Sequence, residues 1–397
     1  MKEHKHILLL LYLLLVLMFS CGKTSYQEGI ANDTTENIVI DLDRNTKLPY
    51  DSLFAKIEFI KLETNEQNLI GRISQILFVD SLIVIVDSEN TKSINIFDLE
   101  GKWKCGVGLT GNGPDEYVEI SNVVIVPEKK WICILDRPQK KILYFDLNGK
   151  FISSERQSFM LDYFEYIDVN HKAFNVIGMY DYAYGNHKGN ALIVTGLTDN
   201  ILYGAFKDTY HVDFDFVINR PLKKFSEQVY FSPNFSDSIF IVENDKVIPK
   251  YYIDIRTNGI SKSDKKNLTN KKLYDLRSRC FYFNGDFIET NDFTFINIAT
   301  PWGYPFAIYS HEIHDVFLTT GEFTNPLYTF CTSEPIARFK ENEVVFPVDA
   351  YVIYNSKDAL YTIKEYKSVL DELYKDLDVN SNPILLICQI NINLGKQ

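Results

Sequence analysis

Two stretches of this chain are near copies of one another. Leu82–Asp87 (LIVIVD) leads into Ile94-Asn95-Ile96-Phe97-Asp98-Leu99-Glu100-Gly101-Lys102, and Trp131–Asp136 (WICILD) leads into Ile142-Leu143-Tyr144-Phe145-Asp146-Leu147-Asn148-Gly149-Lys150. The two Phe-Asp-Leu-x-Gly-Lys blocks stand 48 residues apart. In each unit an apolar run ends in Asp, a short polar turn follows, and a second run ends in Asp-Leu-x-Gly. A further strand opens at Trp103 and at Phe151. Asp can cap its own backbone and Gly tolerates positive φ, so these residues make the turns. Short strands repeating at this period are those of four-stranded antiparallel blades arranged around an axis. The expected fold class is therefore all-β: a six-bladed β-propeller over residues 38–397. Blades of about 48–55 residues fill the available length roughly six times.

The same grammar persists downstream in weaker form. Residues 238–242 and 247–254 read as strand, polar turn and strand. Residues 281–283 and 293–296 read as a hairpin through Asn284-Gly285, and residues 344–346 with 351–354 as a later pair. Residues 359–377 carry the one helical pattern, a short helix near the C-terminus, before a last strand at residues 384–390. No shift in composition marks a second domain.

The N-terminus has the layout of an export signal. Lys2 and Lys5 precede an apolar run at residues 7–18. That run is short for a membrane span, which needs about 20 residues. Leu17-Met18-Phe19-Ser20-Cys21 then sets a small residue directly before a cysteine, as in a bacterial lipobox, with the leucine one place early. The expectation is a signal peptide over residues 1–20, cleavage before Cys21 and acylation of Cys21. A polar tether at residues 21–37 follows, with no apolar periodicity.

Loss of residues 1–20, with Lys2, Lys5 and Glu3, takes the net charge from −12 to −13. So acidic a domain repels phosphate backbones, and nucleic acid is not an expected partner. The five cysteines after Cys21 form no CxxC pair. Cys133, Cys280 and Cys388 sit in apolar runs, where a thiol acts as a small hydrophobe. Buried thiols are expected, with one disulfide as the alternative.

Residues 97–102, followed by Gly108-Leu109-Thr110-Gly111-Asn112-Gly113-Pro114-Asp115-Glu116-Tyr117, resemble the hallmark of the six-bladed β-propeller lipoproteins of Bacteroides-type bacteria, which are distantly related to NHL-type propellers. Leu62-Glu63-Thr64, Ile248-Pro249-Lys250-Tyr251 and Asn382-Pro383-Ile384-Leu385-Leu386 are similar too, so the resemblance spans nearly all of the mature chain. Asp115 departs from it, standing where a glycine is common. The resemblance implies a lipid-anchored propeller of the cell envelope, most simply at the outer membrane, and implies little about activity. It also implies that Asp51-Ser52-Leu53, Asp80-Ser81-Leu82, Asp237-Ser238-Ile239 and Asp33-Thr34-Thr35 fit an O-glycosylation pattern of that lineage.

Chemistry-bearing motifs are few. Residues 106–111 match GxGxxG, but a dinucleotide site needs those glycines to open a helix, and Asn112-Gly113-Pro114 forbids one. Gly108, Gly111, Gly113, Pro114, Glu116 and Tyr117 are read instead as a structural connector between blades, with Tyr117 packed between them. Asp87, Glu89, Asp98 and Glu100 lack the layout of a calcium loop. His311 and His314 fall one residue short of a HExxH spacing and lie in strand and turn. There is no GxSxG nucleophile elbow. No cofactor and no metal are expected. Two aromatic loops remain, one with Trp302 and Tyr304, the other with Tyr182 and Tyr184. Aromatic faces of this kind stack on sugars or on a partner's apolar anchor.

The functional expectation is a membrane-anchored, non-catalytic binding or scaffold module. It is a monomeric domain holding lipid through Cys21 and a protein or glycan partner on one propeller end face. The alternative is a carbohydrate-active lyase or hydrolase at the mouth of the axis. That would require carboxylates, or a His–Tyr–Arg group, converging there.

Overall fold

A computed structural model describes residues 35–157, 161–176, 187, 189–196, 200–207, 220–234, 236–261, 263–265, 269–303, 305–331 and 334–394. Six sheets form the blades of a β-propeller. Blade 1 comprises Gln75–Val79, Leu82–Asp87, Ser93–Asp98 and Trp103–Gly106; blade 2 comprises Asn122–Val126, Trp131–Asp136, Lys141–Asp146 and Phe151–Arg156. Blade 3 runs through Tyr163–Asp168, His171–Asn175, Asn190–Thr195 and Ile201–Lys207. Blade 4 holds Leu222–Phe225, Gln228–Phe231, Ser238–Val242 and Val247–Ile255; blade 5 holds Tyr282–Glu289, Phe293–Ala299, Phe306–Ser310 and Asp315–Thr319. Blade 6 takes Ala337–Arg338, Glu343–Val348 and Ile384–Ile390 from the end of the chain, and its outermost strand, Phe54–Lys61, from the beginning.

Each sheet is sandwiched between two others, so both of its faces are dry. This is why Leu82–Asp87 and Trp131–Asp136 are continuous apolar runs rather than alternating ones. Blades 1 and 2 meet through Val84, Val86, Ile94 and Ile96 against Val123, Ile132, Ile134, Leu143 and Phe145. Equivalent clusters join blades 2 and 3, 4 and 5, 5 and 6, and 6 and 1.

The sequence repeat is a repeat of contacts. Asp98 and Asp146 end the third strands and accept the backbone N–H of Lys102 (2.8 Å) and Lys150 (2.9 Å). The turn glycines have φ +80° at Gly101 and +74° at Gly149. A Cβ on Gly101 would stand 2.0 Å from the Lys61 carbonyl oxygen, and one on Gly149 would stand 2.2 Å from that of Gly106. Each turn therefore abuts the outer strand of the preceding blade, and only glycine fits. The second-strand aspartates are shared as well. Buried Asp87 accepts from the N–H groups of Gly71, Arg72, Asn90 and Thr91, and Asp136 accepts from Val118. Both tie the connector entering a blade to the loop at the head of that blade.

Before reaching blade 6, the N-terminal segment straps the outside of two other blades. Glu36–Ile40 adds in parallel to the outer strand of blade 4, and Thr46–Leu48 adds in parallel to that of blade 5. Nothing in the sequence reading anticipated these fifth strands.

Three local expectations are corrected. Asn284-Gly285 is not a hairpin turn. Tyr282–Glu289 is one strand with a bulge between Phe283 and Phe287, and the turn falls at Thr290–Asp292, where Thr290 N–H bonds to the Phe293 carbonyl. The bulge is an Asx arrangement in which Asp286 N–H donates to Asn284 Oδ1 (2.9 Å) and Gly285 takes φ +85°. Residues 351–354 form no strand. They lie in the helix Ala350–Asn355, with Ile353 buried and Tyr351, Val352 and Tyr354 outward. The expected helix over residues 359–377 is broken into Lys357–Leu360, a 3₁₀ turn Lys364–Tyr366 and Lys367–Tyr374. These helices form an insertion between the second and third strands of blade 6. Among the described residues, no helix is long and apolar enough to cross a membrane.

A candidate ligand site in the central channel

All six first strands line the axis and run in one direction. We call the face where they begin, with the inter-blade connectors, the upper face. Between them lies a channel of about 410 Å³, within the range of small-molecule sites. Its wall is divided. Phe78, Phe225, Phe287 and Phe339, together with Ile125 and Ile288, supply apolar surface, while Arg220, Lys223, Lys224, Glu165 and Asp286 supply charge.

Four of these charges come from the first strands of blades 3, 4 and 5, and Arg220 stands just before the first strand of blade 4. Lys223 pairs with Asp286 and also donates to the Phe287 carbonyl (3.1 Å). The bulge in blade 5 brings Asp286 to this position. Asp286 accepts from Asn297 Nδ2 (3.3 Å), and the same Asn297 side chain bonds to Glu334, on the connector entering blade 6. Two carboxyls thus converge on one amide, in opposite electrostatic settings. Burial works against the Asp286 charge, yet the Lys223 ammonium and Arg220 hold this carboxyl below the usual range. At Glu334, burial and the nearby Asp286 charge outweigh the Lys223 ammonium and the Asn297 hydrogen bond, and its carboxyl is raised. Arg220 stands beside Tyr163 at the upper end, in the left-handed region with φ +58°. Its Nε is buried without a hydrogen-bond partner.

In the middle of the channel, Glu165 is walled in by protein atoms although water can reach it. Burial pushes its carboxyl up to about 7, against the Tyr166 N–H (3.0 Å) and Lys224. Lys224 itself turns to the Tyr166 carbonyl (3.1 Å). At the lower end Arg338 bridges Ser226 Oγ (3.1 Å) and Asn291 Oδ1 (2.6 Å), tying the hairpin turns of blades 4 and 5 to blade 6.

A second polar group lies between blades 4 and 5, outside the channel lining. Glu289, raised by burial, accepts from Tyr251 Oη (2.8 Å) and Thr294 Oγ1 (2.6 Å), and His311 Nε2 stands 3.7 Å away. Thr294 Oγ1 also meets His311 Nε2 at 2.8 Å. His314 faces Glu36 on the N-terminal strap (2.7 Å) and Tyr309 (2.9 Å). The two histidines therefore serve separate carboxylates. Among the described residues, no group of three or more His, Cys, Asp or Glu side chains is arranged to hold a metal ion.

Trp302 lies on the upper face, in the loop between the second and third strands of blade 5. It is 80% exposed, with its ring edge-on to Phe281 at 5.4 Å. Tyr304, Tyr182, Tyr184 and Cys21 lie outside the described residues. The Gly-rich connector runs from blade 1 to blade 2. Gly108 has φ +65°, and a Cβ there would stand 2.9 Å from the Tyr117 ring. Glu116 folds back to accept from Gly113 N–H (2.8 Å), so closely that a Cβ on Gly111 would stand 2.0 Å from its carboxylate. Pro114 occupies the turn between them, and buried Tyr117 donates to the Lys92 carbonyl (3.1 Å). Of the described Asp-Ser triplets, only Asp80-Ser81 sits exposed on a turn.

The channel residues were not singled out in the sequence. Their signal was faint: a Lys223-Lys224 pair inside an apolar strand, and an Asn-Gly-Asp run that mimics a hairpin turn.

The sequence profile of the family described as "Domain of unknown function (DUF4934)" matches residues 35–389. The chain belongs to DUF4934. Its fold is shared with solved structures from Bacteroides. A Bacteroides fragilis protein, provisionally described as exported, is 18% identical with a TM-score of 0.74, covering 89% of the DUF4934 chain and 99% of its own. A DUF4221 member from Bacteroides vulgatus is 10% identical with a TM-score of 0.53, covering 85% and 97%. At such identities the likeness is one of fold. No curated protein matches the sequence significantly.

Proposed function

We propose that this DUF4934 chain is an exported, lipid-anchored, non-catalytic binding module that takes a polyhydroxylated ligand, such as a glycan fragment, into the upper part of its central channel. The observation that carries this reading is the channel wall. Arg220 Nε is buried there without a hydrogen-bond partner, and the Glu165 carboxyl is raised by burial, beside phenylalanine faces, with the raised Glu334 on the adjoining connector. Buried polar groups without partners are costly, and a ligand rich in hydroxyls supplies both donors and acceptors. The exposed Trp302 on the same face offers a further stacking surface. Export and acylation are read from residues 1–21, and export alone agrees with the description of the Bacteroides fragilis neighbour.

Calorimetric titration with oligosaccharides tests the site. The expected result is binding that weakens at least about tenfold in Glu165→Ala and Arg220→Ala, in line with lost buried contacts. A folded protein that binds no oligosaccharide and carries none from its native envelope overturns it. The anchor is tested by palmitate labelling, which Cys21→Ala should abolish together with membrane retention.

One observation favours the enzymatic reading: Asp286 and Glu334 meet at Asn297 with their protonation pushed apart, the pattern of an acid–base pair. Against it, the Asp286 carboxylate is committed to Lys223. Release of cleaved sugar that Glu334→Gln abolishes would establish catalysis instead.

A further inference from the structure

Cys331 and Cys388 are 57 residues apart in the chain, yet their Sγ atoms stand 3.4 Å from each other. Cys331 follows the 3₁₀ turn Pro326–Phe330 on the connector from blade 5 into blade 6. Cys388 sits in the third strand of blade 6, opposite Ile57 of the strand contributed by the N-terminus. Both residues are wholly buried in one apolar cluster with Tyr328, Val344 and Phe346. The other described cysteines belong elsewhere: Cys105 to blade 1, Cys133 to blade 2, and Cys280 to the approach to blade 5. A disulfide has a sulfur–sulfur distance of about 2.05 Å, so these thiols need to close by about 1.4 Å, shared between two side chains.

We propose that Cys331 and Cys388 are joined in a disulfide as the exported chain folds, through exchange with an oxidised dithiol carrier of the envelope. The inference rests on the export reading above. One cysteine thiolate attacks the carrier's disulfide, forming a mixed disulfide and releasing one carrier sulfur as a thiolate. The second cysteine thiolate attacks the chain's own sulfur in that mixed disulfide and expels the other carrier sulfur. Two electrons pass to the carrier, and the two thiol protons end on its reduced dithiol.

Timing follows from burial. In the folded ring neither sulfur is accessible, and burial raises the Cys388 thiol, which suppresses the thiolate that exchange requires. Oxidation therefore precedes closure of blade 6, and the finished bond is shielded from reductants. It would staple the incoming connector to the blade in which the two ends of the chain meet, with the helical insertion inside the loop.

The test uses full-length protein extracted from its native envelope and denatured in iodoacetamide without reductant. Peptide mass spectrometry is expected to show a Cys331–Cys388 cross-linked pair, two mass units lighter than the dithiol, with Cys105, Cys133 and Cys280 alkylated. Exported protein in which Cys331 and Cys388 both alkylate overturns the disulfide and leaves export standing. Protein recovered from the cytoplasm overturns export and, with it, oxidation in the cell. A second arm is independent of compartment: the purified chain, refolded with oxidised glutathione, must acquire the same pair. Once folded, it must resist dithiothreitol unless denaturant is added. Reduction should then lower the thermal midpoint of the wild type by several degrees and leave Cys331→Ala unmoved. A refolded chain that remains a dithiol sinks the proposal.

Discussion

At the residue scale, the most repeated demand in this molecule is for a glycine that abuts a neighbouring blade. At Gly149 a side chain meets two penalties at once, a φ of +74° and a Cβ 2.2 Å from the Gly106 carbonyl oxygen. Gly149→Ala should therefore lower unfolding stability by about 2–4 kcal/mol, as strain and backbone displacement at a special φ do; urea titration measures it. Glu165 sets a pH dependence. Its folded-state value of about 7 lies above that of an exposed glutamate, so the folded state holds the proton more tightly than the unfolded chain. Stability should then fall as pH rises from about 4.5 to about 7, because folding increasingly requires a carboxylate to be buried. Glu165→Gln should remove that slope and raise the thermal midpoint at pH 8 by about 2–4 °C. Melting curves across pH 5–8 check the sign, and an unchanged slope would show that another group carries it.

At the element scale, the N-terminal strap decides how the outer edges are treated. Glu36–Ile40 and Thr46–Leu48 cover the outer strands of blades 4 and 5, which otherwise present unpaired N–H and C=O groups. A chain beginning at Pro49 should keep its six blades, because the closing strand Phe54–Lys61 is retained. It should melt at lower temperature and associate with rising concentration; sedimentation velocity with and without residues 35–48 tests this. Glu36 pairs with the outer strand of blade 4 while its carboxylate is held by His314 and Tyr309 of blade 5, so the strap also ties these two blades together. The bulge in blade 5 is the other decisive element. Without it Asp286 would not reach Lys223, and the channel wall would lose its ion pair.

At the scale of the whole molecule, closure joins the two ends of the sequence. Ile384–Ile390 pairs with Phe54–Lys61 along its full length, from Ile384 opposite Lys61 to Ile390 opposite Phe54. Folding must therefore bring together strands more than three hundred residues apart, which makes late ring closure the expected slow step. Deleting residues through Lys61 should abolish cooperative thermal unfolding altogether, whereas deletion through Leu48 should not. Calorimetry distinguishes the two. The channel depends on the same closure, since Ala337–Arg338 of blade 6 lines one side of it.

The sequence by itself determined the all-β class, the blade as the repeating unit and the count of six. Those follow from local rules: turn residues at fixed offsets, strands buried on both faces and a 48-residue period. Strands at Leu82–Asp87, Trp131–Asp136 and Ile384–Ile390 were legible because propensity and burial agree there. Residues 351–354 misled because β-branched and aromatic side chains suit a strand, yet tertiary placement in the blade 6 insertion buries only one face of a helix. The strap was invisible because parallel edge pairing is a contact between distant segments and needs no local pattern. The candidate site was hidden for a related reason. Glu165, Lys223, Asp286 and Glu334 come from four different blades or connectors, and only closure of the ring sets them around one axis. Which side chains face that axis, and how strongly burial shifts them, is a property of the assembled ring rather than of any segment.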